Sequence, residues 1–314
     1  MKTILVTGGA GFIGSHTVDL LVQNDFHVII YDNLSTGKIT NLDLLHPQME
    51  FFQGDILDYR AFAKQVLRSD AVLHLAAVPS VPMSIADPIS TLKVNTQGFV
   101  HVLQAIREAK KPIRLVYASS AAVYGSTSKL PCSDELVELS HAALSPYALE
   151  KINNEAYADL YARMFGIPSL ALRYFNVYGP RQDPRSPYSG VISRFIDHYQ
   201  QGTPITIWGD GKQSRDFISV TDIAAANLAA LQSDYTGVLN IATGMPETLS
   251  HLISYIEKVG GKPAAVHFLD ARIGDIHESY GNVTKAEKQL NFRYNTSLAE
   301  GIKNLMMSHV EKTP

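Results

Sequence analysis

Thr7-Gly8-Gly9-Ala10-Gly11-Phe12-Ile13-Gly14 is the stretch that decides the fold of this chain. It places glycines at positions 8, 11 and 14 and follows a short apolar run, residues 4–7, of strand length. A helical pattern over residues 11–23 comes directly after it. Three glycines at this spacing, between a predicted strand and a predicted helix, are typical of a dinucleotide-binding turn.

Each glycine of the turn has its own physical reason. Gly8 permits the tight turn, Gly11 lets a pyrophosphate approach the backbone, and Gly14 lets the helix pack on the sheet. The first N–H groups of the helix, at Phe12 and Ile13, then face the phosphates together with the positive end of the helix dipole. The alternative is a glycine turn that serves packing only.

Strands and helices alternate beyond this turn, which predicts an α/β fold with a Rossmann-type doubly wound parallel sheet. We expect a dinucleotide-binding domain over residues 1–175 and a smaller mixed α/β substrate domain over residues 176–314, with some later segments returning to the first. Strands are predicted at residues 4–7, 27–31, 51–53, 71–75, 114–118, 170–174 and 204–208. Helices are predicted at residues 11–23, 59–68, 88–109, 145–165, 220–231, 249–259 and 284–290.

Composition narrows the functional classes. The 314 residues are 46% hydrophobic and 18% charged, as in an ordinary globular protein, and the net charge of −3 offers no field for nucleic acid. A single cysteine excludes a disulfide within the chain and fits a cytoplasmic location. No apolar run reaches the length of a membrane span, and the eleven histidines show no metal-ligand spacing, so no metal is expected.

Carboxylates follow the second and third strands. Asp32 lies 18 residues after Gly14, where a carboxylate accepts hydrogen bonds from ribose hydroxyls and repels a 2′-phosphate, which favours NAD over NADP. Alternatively, Asp32 and Asn33 form a turn, and both interpretations can hold together. Asp55 is a candidate contact for the adenine edge, or else the N-cap of the next helix.

Tyr147 and Lys151 are four residues apart in a helical stretch, so their side chains share a face. A lysine ammonium beside a phenol is expected to lower the pKa of the phenol toward neutral pH and make it a general base. A solvated helix face is the alternative for this pair alone. Ser119 and Ser120 follow a predicted parallel strand, at the end where ligands bind, or else cap a turn.

Five further motifs occur in order with the glycine turn: His74-Leu75-Ala76-Ala77, the segment 119–125, Ser145-Pro146-Tyr147 with Lys151, Arg173-Tyr174-Phe175-Asn176 and Gly209-Asp210-Gly211. Together they resemble the extended short-chain dehydrogenase/reductase family, and within it the UDP-sugar 4-epimerases. The resemblance covers nearly the whole chain. Through residues 173–184 it is strongest to the branch that includes UDP-N-acetylglucosamine 4-epimerases.

The resemblance implies a role for individual residues. Tyr147 takes the proton of the sugar 4-hydroxyl, Lys151 holds the nicotinamide ribose, and Ser120 hydrogen-bonds the same sugar oxygen. The other cofactor-binding residues implied are Gly8, Gly11, Phe12, Ile13, Asp32, Asn33, Asp55, Ile56, Leu75, Ala76, Ala77, Asn95 and Tyr174. The other substrate-binding residues implied are Ser80, Ser84, Asn176, Val191, Thr206, Trp208, Arg215, Arg272, Asp275 and Ser279.

The implied reaction is a redox-neutral epimerisation of UDP-hexoses, with UDP-GlcNAc and UDP-GalNAc favoured and UDP-glucose and UDP-galactose also considered. Its C4 hydride passes to NAD, and the 4-keto sugar turns about its diphosphate and takes the hydride back on the other face. Ser279 lies where a small residue admits the 2-acetamido group. A slip of one position in the alignment would put Tyr280 there and reverse this inference.

Several alternatives remain open. Related 4,6-dehydratases and UDP-glucuronate decarboxylases carry acidic residues where this chain has Ala121 and Ala122, which cannot transfer protons. A UDP-glucuronate epimerase is a further alternative, and a non-catalytic protein that senses NAD or a nucleotide sugar is another, since fold does not fix function. The resemblance also implies a homodimer built on the helices of residues 88–109 and 145–165.

Overall fold

The computed structural model describes residues 2–135, 143–186, 189–271 and 276–310. Arg272 and Asp275, both implied as substrate ligands, lie outside the described residues. No helix in the described ranges is long and apolar enough to cross a lipid bilayer.

A seven-stranded parallel sheet forms the larger part of the molecule. Its strands stand in the order β10-β6-β5-β4-β1-β2-β3, with every neighbouring pair parallel. Their bounds are β1 Thr3–Thr7, β2 His27–Asp32, β3 Met49–Gln53, β4 Ala71–His74, β5 Arg114–Ser120, β6 Ser169–Tyr174 and β10 Gly237–Ile241. The chain order reverses beside β1, which confirms the predicted doubly wound sheet.

Helices cover both faces of this sheet because alternate strand residues point in opposite directions. Ile4 and Val6 of β1 pack on the side of α1 (Phe12–Gln23) and α8 (Val220–Gln232). Leu5, between them, packs on the opposite side with Phe62 and Phe99. That second side is covered by α2 (Tyr59–Arg68), α5 (Gly98–Glu108) and α6 (Pro146–Phe165). The nearly continuous burial along β1, β2 and β4 is what a sheet covered on both faces requires.

The smaller part contains two short sheets and its own apolar core. In one sheet β9 (Ser214–Ser219) pairs with β7 (Asn176–Tyr178), β11 (Pro246–Thr248) and β13 (Glu278–Ser279). In the other, β8 (Ile205–Trp208) pairs with β12 (Val266–Leu269). The helices packed there are α7 (Val191–Gln201), α9 (Leu249–Gly260) and α11 (Leu298–Val310). Between these segments the chain returns to the large sheet through α8, β10 and α10 (Thr284–Leu290).

The helix predicted over residues 88–109 is interrupted. It consists of α4 (Pro88–Leu92), a π-helical turn at Lys93–Gln97 and α5, and it follows a short helix α3 (Val81–Ala86). A π-turn inserts one extra residue into a helix, and such turns are frequent at functional sites. Sequence periodicity over residues 88–109 predicts one helix and does not locate the extra residue.

Candidate active site

A cavity of about 1030 Å³ lies at the carboxyl ends of the parallel strands, where the large sheet meets the smaller part. This is where an open parallel sheet binds ligands. Many of the residues singled out from the sequence line this cavity: Gly8, Gly11, Phe12, Ile13, Asp32, Asn33, Asp55, Ile56, Leu75, Ala76, Ala77, Ser120, Tyr147, Lys151, Tyr174, Asn176 and Val191.

The glycine turn is shaped to receive a phosphate group. Gly8 adopts φ +70°, and a Cβ added there would lie 2.8 Å from the Ala76 nitrogen. A Cβ at Gly14 would collide with the Gly8 backbone, so neither position admits a side chain. No side chain caps the start of α1, whose first N–H groups therefore face the cavity. This arrangement suits the pyrophosphate of a dinucleotide such as NAD.

Asp32 is held rigidly at the end of β2. Its Oδ2 accepts a hydrogen bond from the Ala10 N–H at 3.0 Å, and its Oδ1 accepts one from the Leu34 N–H at 2.8 Å. Burial raises the pKa of the Asp32 carboxyl, while the two N–H bonds oppose that rise. The bond to Leu34 forms the turn considered from the sequence, and the carboxylate still lines the cavity, so the geometry allows both roles.

Asp55 and Asn33 form a second polar pair beside Asp32. The Asn33 amide donates to Asp55 Oδ2 at 3.0 Å, and the Leu57 N–H donates to Asp55 Oδ1 at 2.8 Å. The alternative of Asp55 as a helix N-cap is wrong, since Asp58 caps α2 by accepting from the Ala61 N–H at 3.2 Å. Asp55 therefore remains oriented at the cavity edge.

Tyr147 and Lys151 share one face of α6, as their spacing predicts. The Lys151 ammonium lies 5.7 Å from the centroid of the Tyr147 ring and donates to the Ala118 carbonyl at 2.8 Å. Burial lowers the pKa of Lys151 to about 8. Burial also raises the pKa of Tyr147 to about 12, although a hydrogen bond with Ser120 lowers it.

The expected lowering of the Tyr147 pKa by Lys151 is therefore not found in the chain alone, where burial has the largest effect and raises this pKa. Removal from water disfavours the charged phenolate, and burial therefore raises the pKa of this phenol. Ser120, whose hydroxyl also accepts from the Ala122 N–H at 3.2 Å, is the group that favours the phenolate. A further positive charge in the cavity would add to its effect.

The carboxylates that line the cavity are distant from this reactive corner. Among the described lining residues they are Asp32, Asp55 and Asp183. Asp32 ends β2, three strands from the Ser120 strand β5, which corresponds to about 14 Å at about 4.8 Å per strand. Asp55 follows β3, one strand further away, and Asp183 pairs with Lys38 at 2.9 Å.

A buried network supports the reactive corner from behind. Ser119 donates to Glu155 at 2.5 Å, so the hydroxyl of Ser119 is engaged with the protein rather than with a ligand. Arg173, fully buried, forms an ion pair with Glu155 at 2.6 Å and donates to the Tyr124 hydroxyl at 2.8 Å. A buried charge pair with both partners hydrogen-bonded holds β5, β6 and α6 in one arrangement.

Three predicted ligands are buried instead of lining the cavity. Ser80 caps α3 by accepting from the Met83 N–H at 3.2 Å, and Ser84 accepts from the Tyr147 N–H at 3.0 Å. Asn95, in the π-turn, binds the Val78 backbone. Each of these side chains is buried and is hydrogen-bonded within the protein.

The residues assigned to the substrate from the smaller part are spread over two sheets. Thr206 and Trp208 are both exposed and share one face of β8, as predicted. Arg215 donates to the Ser214 carbonyl at 2.8 Å and stands in register with Ser279 of β13. These four residues lie outside the lining of the described cavity.

Sequence reasoning missed the cations at the cavity mouth. Lys38, Arg181 and Arg185 all line the cavity, and Arg181 forms an ion pair with Asp19 of α1 at 2.8 Å. One nitrogen of Arg181, Nη1, is buried without a hydrogen-bond partner among the described residues. A positive group of this kind suits an anionic ligand. Two arginines within the turn-rich segment 179–190 were the available signal.

Comparison with known proteins agrees with this geometry. The model of the NAD dependent epimerase/dehydratase family matches residues 4–242. A putative UDP-glucose 4-epimerase of Methanocaldococcus jannaschii is 40% identical over 310 residues, which are 96% of this chain and 97% of that protein. A UDP-N-acetyl-alpha-D-glucosaminuronate decarboxylase of Bacillus cytotoxicus is 33% identical over 312 residues, 96% of each chain.

A solved structure also superposes closely. It is the UDP-N-acetylglucosamine 4-epimerase of Methanobrevibacter ruminantium in complex with UDP-N-acetylmuramic acid, with a TM-score of 0.92 and 36% identity over 99% of each chain. The chain therefore belongs to the NAD dependent epimerase/dehydratase family and is an NAD-dependent enzyme of the extended short-chain dehydrogenase type, as its motifs predict.

Proposed function

We propose that this enzyme is an isomerase that inverts C4 of UDP-hexoses, with UDP-GlcNAc and UDP-GalNAc as its preferred pair. The observation that carries the proposal is the composition of the reactive corner. Ser120, Tyr147 and Lys151 meet there, whereas Ala121 and Ala122 begin the short 3₁₀ turn that follows. Epimerisation needs one general base, while elimination of water needs an additional acid and base.

The residues divide the work as follows. Tyr147 receives the proton of the 4-hydroxyl, and Ser120 shares a hydrogen bond with that phenol and orients it. Lys151 holds the nicotinamide ribose and adds positive charge beside the phenol. The chemistry that NAD would supply there is acceptance and return of the C4 hydride. Asp32 and Asp55 hold the adenosine, and the glycine turn holds the pyrophosphate.

The UDP diphosphate and uridine would be held by Asn176, Val191 and Arg215, with Thr206 and Trp208 beside the uracil. Arg272 and Asp275 remain predictions for the same group. Arginine suits this role because its planar fork pairs with phosphate oxygens. The half-buried state of Asn176 and Val191 at the cavity supports their part in the proposal.

Preference for the acetamido sugar rests on Ser279. Ser279 pairs in register with Arg215, so the two side chains share one face of the sheet, whereas Tyr280 follows the last residue of β13. A small side chain beside the diphosphate ligand leaves room for a 2-acetamido group. This geometry supports Ser279, rather than Tyr280, as the residue that selects the sugar.

The experiment that tests the function uses purified enzyme with UDP-GlcNAc, UDP-glucose and UDP-glucuronate separately, with products resolved by proton NMR. We expect UDP-GalNAc from the first substrate. Activity on UDP-glucose alone would retain the mechanism and contradict the role of Ser279. Absence of any 4-epimer would contradict the proposal, and a decarboxylated or dehydrated product would identify the alternative chemistry.

The matched variant is Ser279→Tyr. We expect it to lower turnover of UDP-GlcNAc at least about tenfold relative to UDP-glucose, since a bulky side chain excludes the larger substituent. Tyr280→Ser serves as the control and should leave the ratio of the two rates unchanged. Equal losses for both sugars in Ser279→Tyr would show that this position does not select between them.

A homodimer and a cytoplasmic location are part of the proposal. Ile85 and Ile89 are 62% and 67% exposed, and Leu92, Leu149 and Met164 are also exposed on α3, α4 and α6. Apolar side chains grouped on adjacent helices are typical of a subunit interface. Light scattering at micromolar concentration should give twice the mass of the chain, and Ile89→Glu should shift it to the monomer; a wild-type monomer would contradict this part.

A further inference from the structure

Glu150 is a buried carboxylate that the reaction scheme above leaves unused. It lies on α6 between Tyr147 and Lys151 and is only 2% exposed. Its Oε1 accepts a hydrogen bond from the Thr91 hydroxyl at 2.8 Å, and its Oε2 accepts one from the Asn95 amide at 2.6 Å. Both donors are neutral. Burying a carboxylate is costly unless its charge is balanced, so its presence here calls for a physical reason.

The hydrogen bonds of Glu150 reach the cavity wall through Asn95. The Asn95 Oδ1 accepts from the Val78 N–H at 2.7 Å, and its Nδ2 donates to the Val78 carbonyl at 3.1 Å. Val78 lines the cavity two residues after Ala76. Because one amide contacts both backbone groups of Val78 and the carboxylate, the orientation of Asn95 fixes this part of the wall. Glu150 thus connects the catalytic helix to the part of the cavity wall that contains Val78.

The charge of Glu150 acts on Lys151. Burial lowers the pKa of Lys151, whereas the carboxylates of Glu150 and Glu155 raise it. Glu155 is already paired with Arg173, so Glu150 is the carboxylate on this helix that has no cation in direct contact among the described residues. The remaining titratable groups nearby are the Tyr147 phenol and the His74 imidazole, and burial keeps the imidazole neutral by lowering its pKa to about 3.

We propose that Glu150 is a positioning residue for the reaction, which fixes the Val78 segment through Asn95 and places a negative charge next to Lys151 on α6. The proposal rests on the assigned roles of Tyr147 and Lys151. The charge and the hydrogen bonds can be separated experimentally. Glu150→Gln removes the charge and retains an oxygen that accepts a hydrogen bond, whereas Glu150→Ala removes both.

The first measurement is the titration of Lys151 by NMR of the protein labelled with ¹³C at the lysine Cε, without substrate. The signal is assigned by its loss in Lys151→Met. We expect Glu150→Gln to move the Lys151 titration to lower pH by about 1 unit, because an opposite charge at close range shifts a pKa by that order. Asp159→Asn, an exposed carboxylate on the same helix, is the control and should leave the titration unchanged.

The second measurement is hydrogen exchange at the Val78 N–H. Glu150→Ala should increase its exchange rate at least about tenfold, since Asn95 loses the partner that orients it. Glu150→Gln should preserve most of the protection. These two measurements need no sugar substrate, so a failed epimerase assay leaves them interpretable.

The third measurement is the pH dependence of kcat. Removing the charge lowers both pKa values, so both limbs of a bell-shaped profile should move to lower pH in Glu150→Gln. A residue that only supports the fold would reduce the height of the profile without moving it. An unchanged Lys151 titration in Glu150→Gln, or unchanged Val78 exchange in Glu150→Ala, would overturn the proposal.

Discussion

The cofactor side and the substrate side of the cavity are built in different ways. On the cofactor side, the turn from Gly8 to Gly14 and the ends of β2 and β3 present backbone N–H groups and two carboxylates fixed by backbone bonds. On the substrate side, β7, β9, β11 and β13 come from positions up to a hundred residues apart. The first side depends on local backbone geometry, and the second depends on the register between distant strands.

The difference extends to charge. Asp32 and Asp55 lie on the cofactor side, where hydroxyl groups and a base edge need acceptors. Lys38, Arg181 and Arg185 also line the cavity, and ion pairs of Lys38 with Asp183 and of Arg181 with Asp19 connect segments far apart in the chain. Local backbone geometry therefore fixes the acceptors on the cofactor side. The positions of the long cationic side chains depend instead on contacts between distant parts of the chain.

Tyr147→Phe should give the largest effect, because it removes the hydroxyl that acts on the substrate between the two sides of the cavity. Loss of a general base lowers kcat on the order of 10³-fold. NAD content, measured from the absorbance of the purified protein, should stay near the wild-type value because the ring and Lys151 remain. A variant that kept more than a tenth of the activity would show that another group removes the proton.

Gly8→Ala tests the cofactor side. A left-handed backbone costs alanine about 1 kcal/mol, and the close approach to Ala76 adds a cost of similar or greater size, so we expect about 3 kcal/mol less stability and loss of bound NAD. Gly166→Ala is the matched control, with φ +66° and nothing within 4 Å of the added Cβ, and should lose only about 1 kcal/mol. Equal losses by urea denaturation would refute the close-packed turn.

His74 gives the cofactor side a dependence on pH. The Thr7 hydroxyl oxygen accepts from the Leu75 and Ala76 N–H groups, so its proton points to the His74 Nδ1 at 2.8 Å. Burial lowers the pKa of His74 from 6.5 to about 3, so the folded state binds fewer protons than the unfolded state between these values. The contribution of neutral His74 to the free energy of unfolding is therefore complete above pH 6.5. It decreases as the pH falls below this value, by up to about 1.4 kcal/mol per pH unit.

The test compares the melting temperature of wild type and His74→Gln between pH 8 and pH 5. The variant loses the ring contact with Phe99 and should melt lower at pH 8, yet it should lose less stability on acidification. Parallel curves over this range would show that His74 does not titrate in this way.

Lys38 and Asp183 should give the smallest effect, although they join the two sides across the cavity mouth. Their ion pair measures 2.9 Å, and both side chains are largely exposed, at 59% and 40%. Exposed pairs contribute less than about 1 kcal/mol and are screened by salt. A double-mutant cycle with Lys38→Gln and Asp183→Asn measures the coupling, and a value above about 2 kcal/mol would show that the two sides are held together here.

The reactive corner shows where sequence reasoning reaches its limit. The spacing of Tyr147 and Lys151 predicts a shared helix face, and the structure has it. The pKa of the phenol could not be predicted, because desolvation depends on how many atoms of other elements surround the ring. Likewise, Ser84 and Asn95 carry polar groups that suit a ligand, yet folding places protein donors and acceptors against them.

The sequence by itself determined the parallel sheet, the glycine turn and the order of the motifs, because strand burial, helix periodicity and turn chemistry act over a few neighbouring residues. Only the tertiary structure decided the π-turn at Asn95, the cations at the cavity mouth and the pairing of Arg215 with Ser279. These features depend on contacts between residues far apart in the chain, and such contacts leave no periodic pattern in the sequence.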